Sequence, residues 1–280
     1  MMVSALKKYF DLEDPELISI IDDLPLWSAP FGFKLMDIVQ YKKNIHALDI
    51  GFGLGFPLLE IAMRLGPSSQ VTGIDPWRQG HERVQQKLRL TRVNNVELVA
   101  GCAEAMPFSD HSFDLIFSNN GINNVQNLPA SLQECHRVAK NGAQFVFNFN
   151  LERTFFEFYT IFRETLKDLG LQHYEQNIDA HIYSKRKPLA EMKSAVENAG
   201  FKIMKIYEDV FFYRFADGTA MLNYFPFVLS FMPAWKEIVP QDLLEEVFQH
   251  IENTMNQAAA GGKCITMQVP FATFDCLKIG

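Results

Sequence analysis

The feature that most constrains this chain is a group of three closely spaced glycines between an apolar segment and a helical pattern. In the stretch "ALDIGFGLGFPLLEIA", from Ala47 to Ala62, they are Gly51, Gly53 and Gly55. Glycine is unfavourable inside strands and helices, but it adopts positive φ angles and lets a ligand approach the bare main chain. The stretch therefore predicts a strand, a tight turn that accommodates a ligand, and a helix.

Short apolar segments and helical periodicity alternate through the first half of the chain. The apolar segments are "HALDIG", "QVTGID", "VELVAG", "FDLIFSN" and "AQFVFNFN". Four of the five are near-continuous apolar runs, which is typical of strands covered on both faces of a parallel sheet. The helical segments are "PLLEIAMRLG", "HERVQQKLRLTRV" and "LPASLQECHRVAKNG", and the last is predicted to end at an Asn141-Gly142 cap. This alternation predicts a doubly wound α/β fold with right-handed crossovers.

The pattern changes after Asn150. Two amphipathic helices are predicted in "TFFEFYTIFRETLKDLG" and "PLAEMKSAVENAG", and Gly200 stops the second. A long strand, "FKIMKIYEDVFFYRF", is followed by a helical insert that begins near an Asp217 cap and contains "QDLLEEVFQHIENTMNQAA". "KCITMQVPFATFDCLKI" is predicted to be the last strand. Because no repeat or flexible linker interrupts the chain, we expect one domain over residues 1–280, with a helical cap inserted around 215–262.

Composition limits the partners of the chain. With 280 residues, 48% of them hydrophobic, it is expected to bury a sizeable core, and its net charge of −7 argues against nucleic acid as a partner. Four cysteines without CxxC spacing predict no metal site and a reducing, cytoplasmic setting. The most apolar stretch, "YFPFVLSFMPAW", is shorter than the roughly 20 residues of a membrane span and is interpreted as a buried lid or a partner surface. The composition is also compatible with a homo-oligomer.

An acidic residue follows the glycines at the end of the second predicted strand. Asp75, in "TGIDPW", comes about 20 residues after the last glycine, where a carboxylate is placed to accept hydrogen bonds from both ribose hydroxyls of a nucleoside. Pro76 and Trp77 offer apolar faces to an adenine ring. The glycine turn and this carboxylate together predict a site for a nucleoside cofactor.

A second carboxylate, Asp49, indicates which kind of nucleoside cofactor the predicted site binds. Dinucleotide-binding folds place the pyrophosphate beside a GxGxxG turn. Here the spacing is D-x-G-x-G-x-G, and the carboxylate of Asp49 would repel a pyrophosphate but attract an ammonium group. This favours an amino-acid-bearing nucleoside over NAD, although Asp49 could instead only brace the turn by accepting backbone N–H bonds.

Four motifs in order carry a resemblance to a known family. They are "LDIGFGLG", "GIDPW", "GCAEAMPFSDHSFDLIFSNNGINNV" and "LQECHRVAKNGAQFVF". From about Trp27 to Asn150 the chain resembles the class I S-adenosylmethionine-dependent methyltransferases, most of all their ubiquinone/menaquinone-biosynthesis-like branch. The resemblance implies a Rossmann-like, seven-stranded, mostly parallel sheet with an antiparallel last strand. It also implies an S-adenosylmethionine-binding core over 27–150 and a C-terminal half, 151–280, that carries the cap.

The resemblance also implies the residues that bind the cofactor. They are Asp49 near the ammonium, the turn of Gly51, Phe52, Gly53 and Gly55 at the methionine and ribose, Asp75 at the ribose hydroxyls, Pro76 and Trp77 at the adenine face, Cys102, Ala103 and Glu104 at the adenine edge, and Asn119 by the sulfonium. The family commonly has Asp where this chain has Cys102. A thiol is a weak acceptor, so Glu104 or water would accept from the adenine amino group, unless Cys102 is only a small buried hydrophobe.

The implied reaction transfers a methyl group to a small-molecule acceptor by in-line displacement and produces S-adenosylhomocysteine. It needs positioning and exclusion of water, whereas a metal is not required. Candidates on the acceptor side are Asn120 and Asn123, which could orient a polar group, and His181 and Tyr183, which could supply a base or donor. Turn chemistry for the asparagines and packing for the other two remain alternatives. An NAD-dependent oxidoreductase and a non-catalytic S-adenosylmethionine-binding protein also stay open.

Overall fold

The structure, a computed structural model, describes residues 6, 10–21 and 26–279. Within these residues one sheet of seven strands is present, in the order β3-β2-β1-β4-β5-β7-β6. The strands are β1 (His46–Ile50), β2 (Gln70–Asp75), β3 (Val96–Ala100), β4 (Phe113–Ser118), β5 (Ala139–Asn150), β6 (Phe201–Phe215) and β7 (Ile265–Lys278).

The helices of the described residues alternate with the strands in the first half and dominate the second half. They are α1 (Pro15–Ile21), α2 (Ala29–Ile38), α3 (Leu58–Leu65), α4 (Arg78–Thr91), α5 (Leu128–Val138), α6 (Phe156–Asp168), α7 (Glu175–Lys185), α8 (Leu189–Asn198), α9 (Gly218–Leu222), α10 (Phe225–Ser230), α11 (Met232–Lys236) and α12 (Leu244–Ala258). None of them is both long enough and apolar enough to cross a bilayer.

Strand directions confirm the predicted fold class. β1 pairs in parallel with β2 and with β4, β2 with β3, and β4 with β5. β7, the last strand in the sequence, pairs antiparallel with β5, with Leu277 opposite Gln144. The sheet is therefore doubly wound and mostly parallel, and it places the carboxyl ends of β1, β2 and β4 at one edge, where ligands of such sheets bind.

Periodic apolar residues hold α3 against this sheet. Leu58, Ile61, Ala62 and Leu65 lie on its buried face and share a hydrophobic cluster with Val71 of β2. The helix follows the glycine turn directly, so its packing fixes the position of the turn relative to the first two strands.

One prediction about the elements is wrong, and one helix was not predicted. Asn141 and Gly142 do not cap α5, because the helix ends at Val138 and β5 begins at Ala139, which pairs with Phe113 of β4. Pairing with β4 outweighs the local preference of Asn-Gly for a helix end. The segment "EQNIDAHIYSK" was not predicted to be helical but forms α7, and "YFPFVLSFMPAW" forms the short helices α10 and α11.

The chain divides into two compact units. Residues 12–150, 188–209 and 271–280 form one, here called the sheet unit, and residues 1–11, 151–187 and 210–270 form the other, the helical unit. The expected single domain over 1–280, with a cofactor-binding core at 27–150 and a cap around 215–262, stays a prediction.

Candidate cofactor-binding site

The glycine turn after β1 has the backbone that its sequence predicts. Gly51, Gly53 and Gly55 have φ angles of 76°, 54° and 96°. A side chain at Gly51 would lie 2.7 Å from the Cα atom of Gly121, whereas one at Gly53 would meet no atom within 4 Å among residues 6, 10–21 and 26–279. Gly51 is thus required by close packing, and Gly53 borders open space that a ligand can fill.

Asp75 ties this turn to the end of β2. One carboxylate oxygen accepts a hydrogen bond from the Gly53 N–H at 2.8 Å, and the other accepts from the Trp77 N–H at 2.8 Å. The residue is buried. Each oxygen keeps a lone pair for a further donor, so Asp75 can brace the turn and still accept from hydroxyl groups.

Asp75→Ala is expected to weaken S-adenosylmethionine binding by about 1–3 kcal/mol, because charge-assisted hydrogen bonds are lost and the Gly53 N–H loses its acceptor. Isothermal titration calorimetry measures the change. Asp114→Ala is the matched control, since this β4 carboxylate pairs with Lys140 at 2.7 Å and not with the turn. An unchanged dissociation constant in a folded Asp75→Ala protein would contradict the role assigned to Asp75.

Asp49 differs from Asp75 in having no hydrogen-bond partner in the described part of the chain. It is fully buried in β1, and neither carboxylate oxygen has a hydrogen-bond partner among residues 6, 10–21 and 26–279. Burial, and secondarily the charge of Asp75, raise the pKa of this carboxyl well above its ordinary range. Backbone bracing is therefore performed by Asp75 and not by Asp49. An unpaired buried carboxylate is costly, and a bound cation would offset that cost.

Helix α4 supports the turn, which the sequence analysis did not predict. The His81 Nε2 atom lies 2.8 Å from the main-chain oxygen of Asp75, and Lys87 Nζ donates to the main-chain oxygen of Leu54 at 2.9 Å. A side chain at Gly80 would come within 2.6 Å of the Gly53 oxygen. Gly80 and Lys87 are seven residues apart and share one helix face, a spacing that could have identified this contact face.

Phe52 contributes only its main chain to the turn. Its side chain is 1% exposed, belongs to the core cluster and packs with its ring centroid 4.7 Å from that of His81. Pro76 is exposed and Trp77 half-buried at the end of β2, so both are accessible to a ligand.

The residues predicted at the adenine edge follow β3. Cys102 is exposed, so the alternative of a small buried hydrophobe is wrong, and Ala103 is buried. Glu104 Oε1 accepts from the main-chain N–H groups of Gln126 at 2.7 Å and Asn127 at 3.2 Å. This carboxylate therefore ties the loop after β3 to the start of α5.

Asparagines gather at the end of β4. The side chain of Asn119 accepts from Asn148 Nδ2 at 2.8 Å and donates to the Ser28 oxygen at 3.2 Å, which leaves its main chain for a ligand. Asn123 Nδ2 donates to Asn120 Oδ1 at 3.1 Å and to Asn150 Oδ1 at 2.6 Å.

Two polar atoms of this cluster have no partner among the described residues. They are Asn120 Nδ2, a donor, and Asn123 Oδ1, an acceptor, and both are buried. Turn chemistry explains part of the cluster, since Asn124 Nδ2 donates to the Asn120 main-chain oxygen at 3.2 Å. Turn chemistry does not account for the unpaired Asn120 donor and Asn123 acceptor.

The other acceptor-side candidates lie in the helical unit, on α7. His181 Nε2 is 3.0 Å from the hydroxyl oxygen of Tyr159, which also accepts from Arg186 Nη1 at 3.2 Å and Trp235 Nε1 at 3.1 Å. Since that oxygen receives two N–H donors, its own hydrogen points to His181. Tyr183 is exposed, with Lys187 Nζ 3.4 Å from its ring centroid.

His181 predicts a pH dependence of stability. Burial, then the charges of Arg186 and Lys185, lower its pKa to about 4, against about 6.5 in an unfolded chain. The unfolded state binds more protons between these values, so stability falls as pH drops from about 6.5 to about 4. In His181→Gln the fall in the free energy of unfolding over this pH range is expected to be roughly 1 kcal/mol smaller, allowing for solvent screening. Urea unfolding across the range measures it. His173→Gln, which changes an exposed histidine of the same unit, is the control. Equal pH slopes in wild type and His181→Gln would contradict the assignment.

Comparison with known proteins identifies relatives of the chain. The profile of a methyltransferase domain matches residues 48–147, which contain the glycine turn, Asp75, Asn119, Asn120 and Asn123. A demethylmenaquinone methyltransferase of Geobacillus kaustophilus is 30% identical over 178 residues, which cover 60% of this chain and 75% of that protein. Against a demethylmenaquinone methyltransferase of Listeria welshimeri, the chain spans about half of the relative's length, 46%.

Solved structures share the fold over nearly the whole chain. An S-adenosylmethionine-dependent methyltransferase from Aquifex aeolicus has a TM-score of 0.54 at 16% identity and covers 94% of this chain and 98% of its own. A geranyl diphosphate C-methyltransferase from Streptomyces coelicolor, solved with Mg²⁺, geranyl diphosphate and S-adenosyl-L-homocysteine, has a TM-score of 0.55 at 16% identity. It covers 99% of this chain and 88% of its own. At these identities the likeness concerns the fold.

Proposed function

We propose that this chain, which belongs to the class I S-adenosylmethionine-dependent methyltransferases of the quinone-biosynthesis-like branch, transfers a methyl group from S-adenosylmethionine to a small-molecule acceptor. S-Adenosylhomocysteine is the product. The proposal is carried by the fully buried carboxylate of Asp49 in β1, which is unpaired among the described residues and is followed four residues later by the open space at Gly53. An ammonium group and a main-chain cradle are complementary to these two features.

The residues of the sheet unit fit this cofactor. Asp49 would attract its ammonium group, and Gly51, Gly53 and Gly55 would leave room for its methionine part. Asp75 would accept from the ribose hydroxyls with the lone pairs that Gly53 and Trp77 do not use. Pro76 and Trp77 would cover the adenine, Cys102, Ala103 and Glu104 would border its edge, and Asn119 would present its main chain near the sulfonium. When bound, the cofactor supplies a methyl group that is transferred in line to a nucleophile.

The acceptor side of the proposal uses Asn120 and Asn123. Their unpaired donor and acceptor atoms would orient a hydroxyl or carbonyl group without adding charge. His181 and Tyr183 stay predictions that the proposal does not use, since the Nε2 atom of His181 is occupied by Tyr159. No general base is assigned.

Composition and cysteine state support a cytoplasmic setting for the proposed enzyme. The four cysteines are free, which suits a reducing cytoplasm. A net charge of −7 disfavours nucleic acid as acceptor. Association into homo-oligomers is compatible with the proposal.

Calorimetry with S-adenosylmethionine, S-adenosylhomocysteine and NAD tests the cofactor. We expect binding of the first two, and binding of NAD alone would replace the proposal with an oxidoreductase. Incubation with an acceptor library, read by mass spectrometry for S-adenosylhomocysteine and methylated product, tests the reaction. Quinols come first in the library, because the relatives are named for demethylmenaquinone. Cofactor binding without turnover of any acceptor would favour a non-catalytic binding protein.

A further inference from the structure

A buried guanidinium in the helical unit has no anionic partner in the part of the chain that the structure describes. Arg186, directly after α7, is only 4% exposed. Within residues 6, 10–21 and 26–279, no carboxylate lies within ion-pair distance of it, and its side chain makes a single hydrogen bond, to the Tyr159 hydroxyl at 3.2 Å. A guanidinium has five N–H donors, so most of its hydrogen-bonding capacity is unused.

The groups around Arg186 do not supply negative charge. Its guanidinium carbon lies 5.8 Å from the ring centroids of both Phe155 and Tyr159. His181 is neutral near pH 7, because its pKa is lowered to about 4, and the neighbouring Lys185 and Lys187 are cationic. A buried cation in such surroundings is costly unless an anion joins it.

The two acidic residues of α7 are engaged elsewhere in the unit. Asp179 pairs with Arg163 at 2.7 Å, and Glu175 lies 3.9 Å from Arg163 and 3.9 Å from Lys167. No Arg186 nitrogen is among the buried side-chain atoms without a hydrogen-bond partner in the described residues. The N–H groups that Tyr159 does not use therefore retain contact with accessible space.

We propose that Arg186 binds the oxyanion of a small molecule, a carboxylate or a phosphate, in a site within the helical unit. The planar guanidinium donates in pairs to such groups, and its aromatic neighbours keep the pair poorly hydrated. Tyr159, fixed by Trp235 and His181, holds the guanidinium in place from one side. This site does not depend on the proposed methyl transfer, because it rests only on residues of the helical unit.

Titration of the wild-type protein with inorganic phosphate and with sodium benzoate tests the site, with sodium chloride as the ionic-strength control. In ¹⁵N–¹H spectra we expect the Arg186 Nε–H and Trp235 Nε1–H resonances to shift saturably with at least one of the two anions. Comparison of the phosphate titration with the benzoate titration shows whether the site prefers a phosphate or a carboxylate. Saturation is expected at roughly millimolar concentration, as for a small ligand held mainly by one ion pair.

Arg186→Gln is expected to weaken binding of that anion by about tenfold or more, since the charge is removed. Arg163→Gln is the matched control, because that arginine lies in the same unit but already has carboxylate partners. It should bind as wild type does. The proposal is wrong if neither anion shifts the wild-type resonances more than sodium chloride does. It is also wrong if Arg186→Gln binds the anion as tightly as wild type. The wild-type titration decides the question even if Arg186→Gln does not fold.

Discussion

Gly53→Val is expected to weaken S-adenosylmethionine binding by about 100-fold or more, while the sheet remains folded. A side chain at this position would enter space that no atom of the described residues occupies within 4 Å, so this part of the protein has room for it. The proposed cofactor would have no room beside that side chain, because its methionine part would lie against the same main chain. The positive φ of 54° adds strain of about 1–2 kcal/mol in the folded state. Calorimetry gives the affinity and urea unfolding gives the stability.

Gly142→Val separates the loss of binding from this strain. Gly142 has a φ of 80°, and a side chain there would also meet nothing within 4 Å, but it lies at the start of β5, away from the glycine turn. The control should lose similar stability and keep its affinity. If Gly53→Val retains tight binding, the cofactor does not lie over this turn. If both variants lose binding equally, strain and not occupied space is the cause.

Much of the fold could be predicted from the sequence because its determinants are local. Gly51, Gly53 and Gly55 adopt the positive φ angles that their spacing indicates, and Asp217 caps α9 through the Ala220 N–H at 2.7 Å. β6 has the predicted bounds, Phe201–Phe215. The family resemblance drawn from four motifs is confirmed by the domain profile and by the Geobacillus relative.

What the sequence could not predict depends on contacts between distant residues. Asn141-Gly142 is a good helix end by local rules, yet α5 ends at Val138 because Ala139 already pairs with β4, and Asn141 and Gly142 lie in the register shift before Gln144 pairs. The sequence left open whether Asp49 or another group braces the turn, since only the structure shows that Asp75 is within 2.8 Å of the Gly53 N–H. Arg186 lies between two lysines, a pattern typical of an exposed charged segment, but it is buried.

Asp49→Asn is expected to lower the affinity for S-adenosylmethionine and to raise the stability of the protein. The carboxylate is buried without a partner among the residues that the structure describes, and its pKa is well above the ordinary range because of burial and Asp75. A folded-state pKa above the unfolded value means that the folded state binds more protons between the two values. Wild-type stability therefore falls as pH rises through this window, and Asp49→Asn should not show that fall.

The stability and the cofactor affinity of Asp49→Asn should change in opposite directions. At about pH 8 the free energy of unfolding of ligand-free Asp49→Asn should exceed that of wild type by about 1 kcal/mol or more, with a smaller difference at about pH 5. Its affinity for S-adenosylmethionine should fall by about 100-fold, because an ammonium would then be bound without its counter-charge. Asp114→Asn, which removes a carboxylate paired with Lys140, should lose stability and keep its affinity. An Asp49→Asn protein that binds the cofactor as tightly as wild type would show that this carboxylate faces no cation.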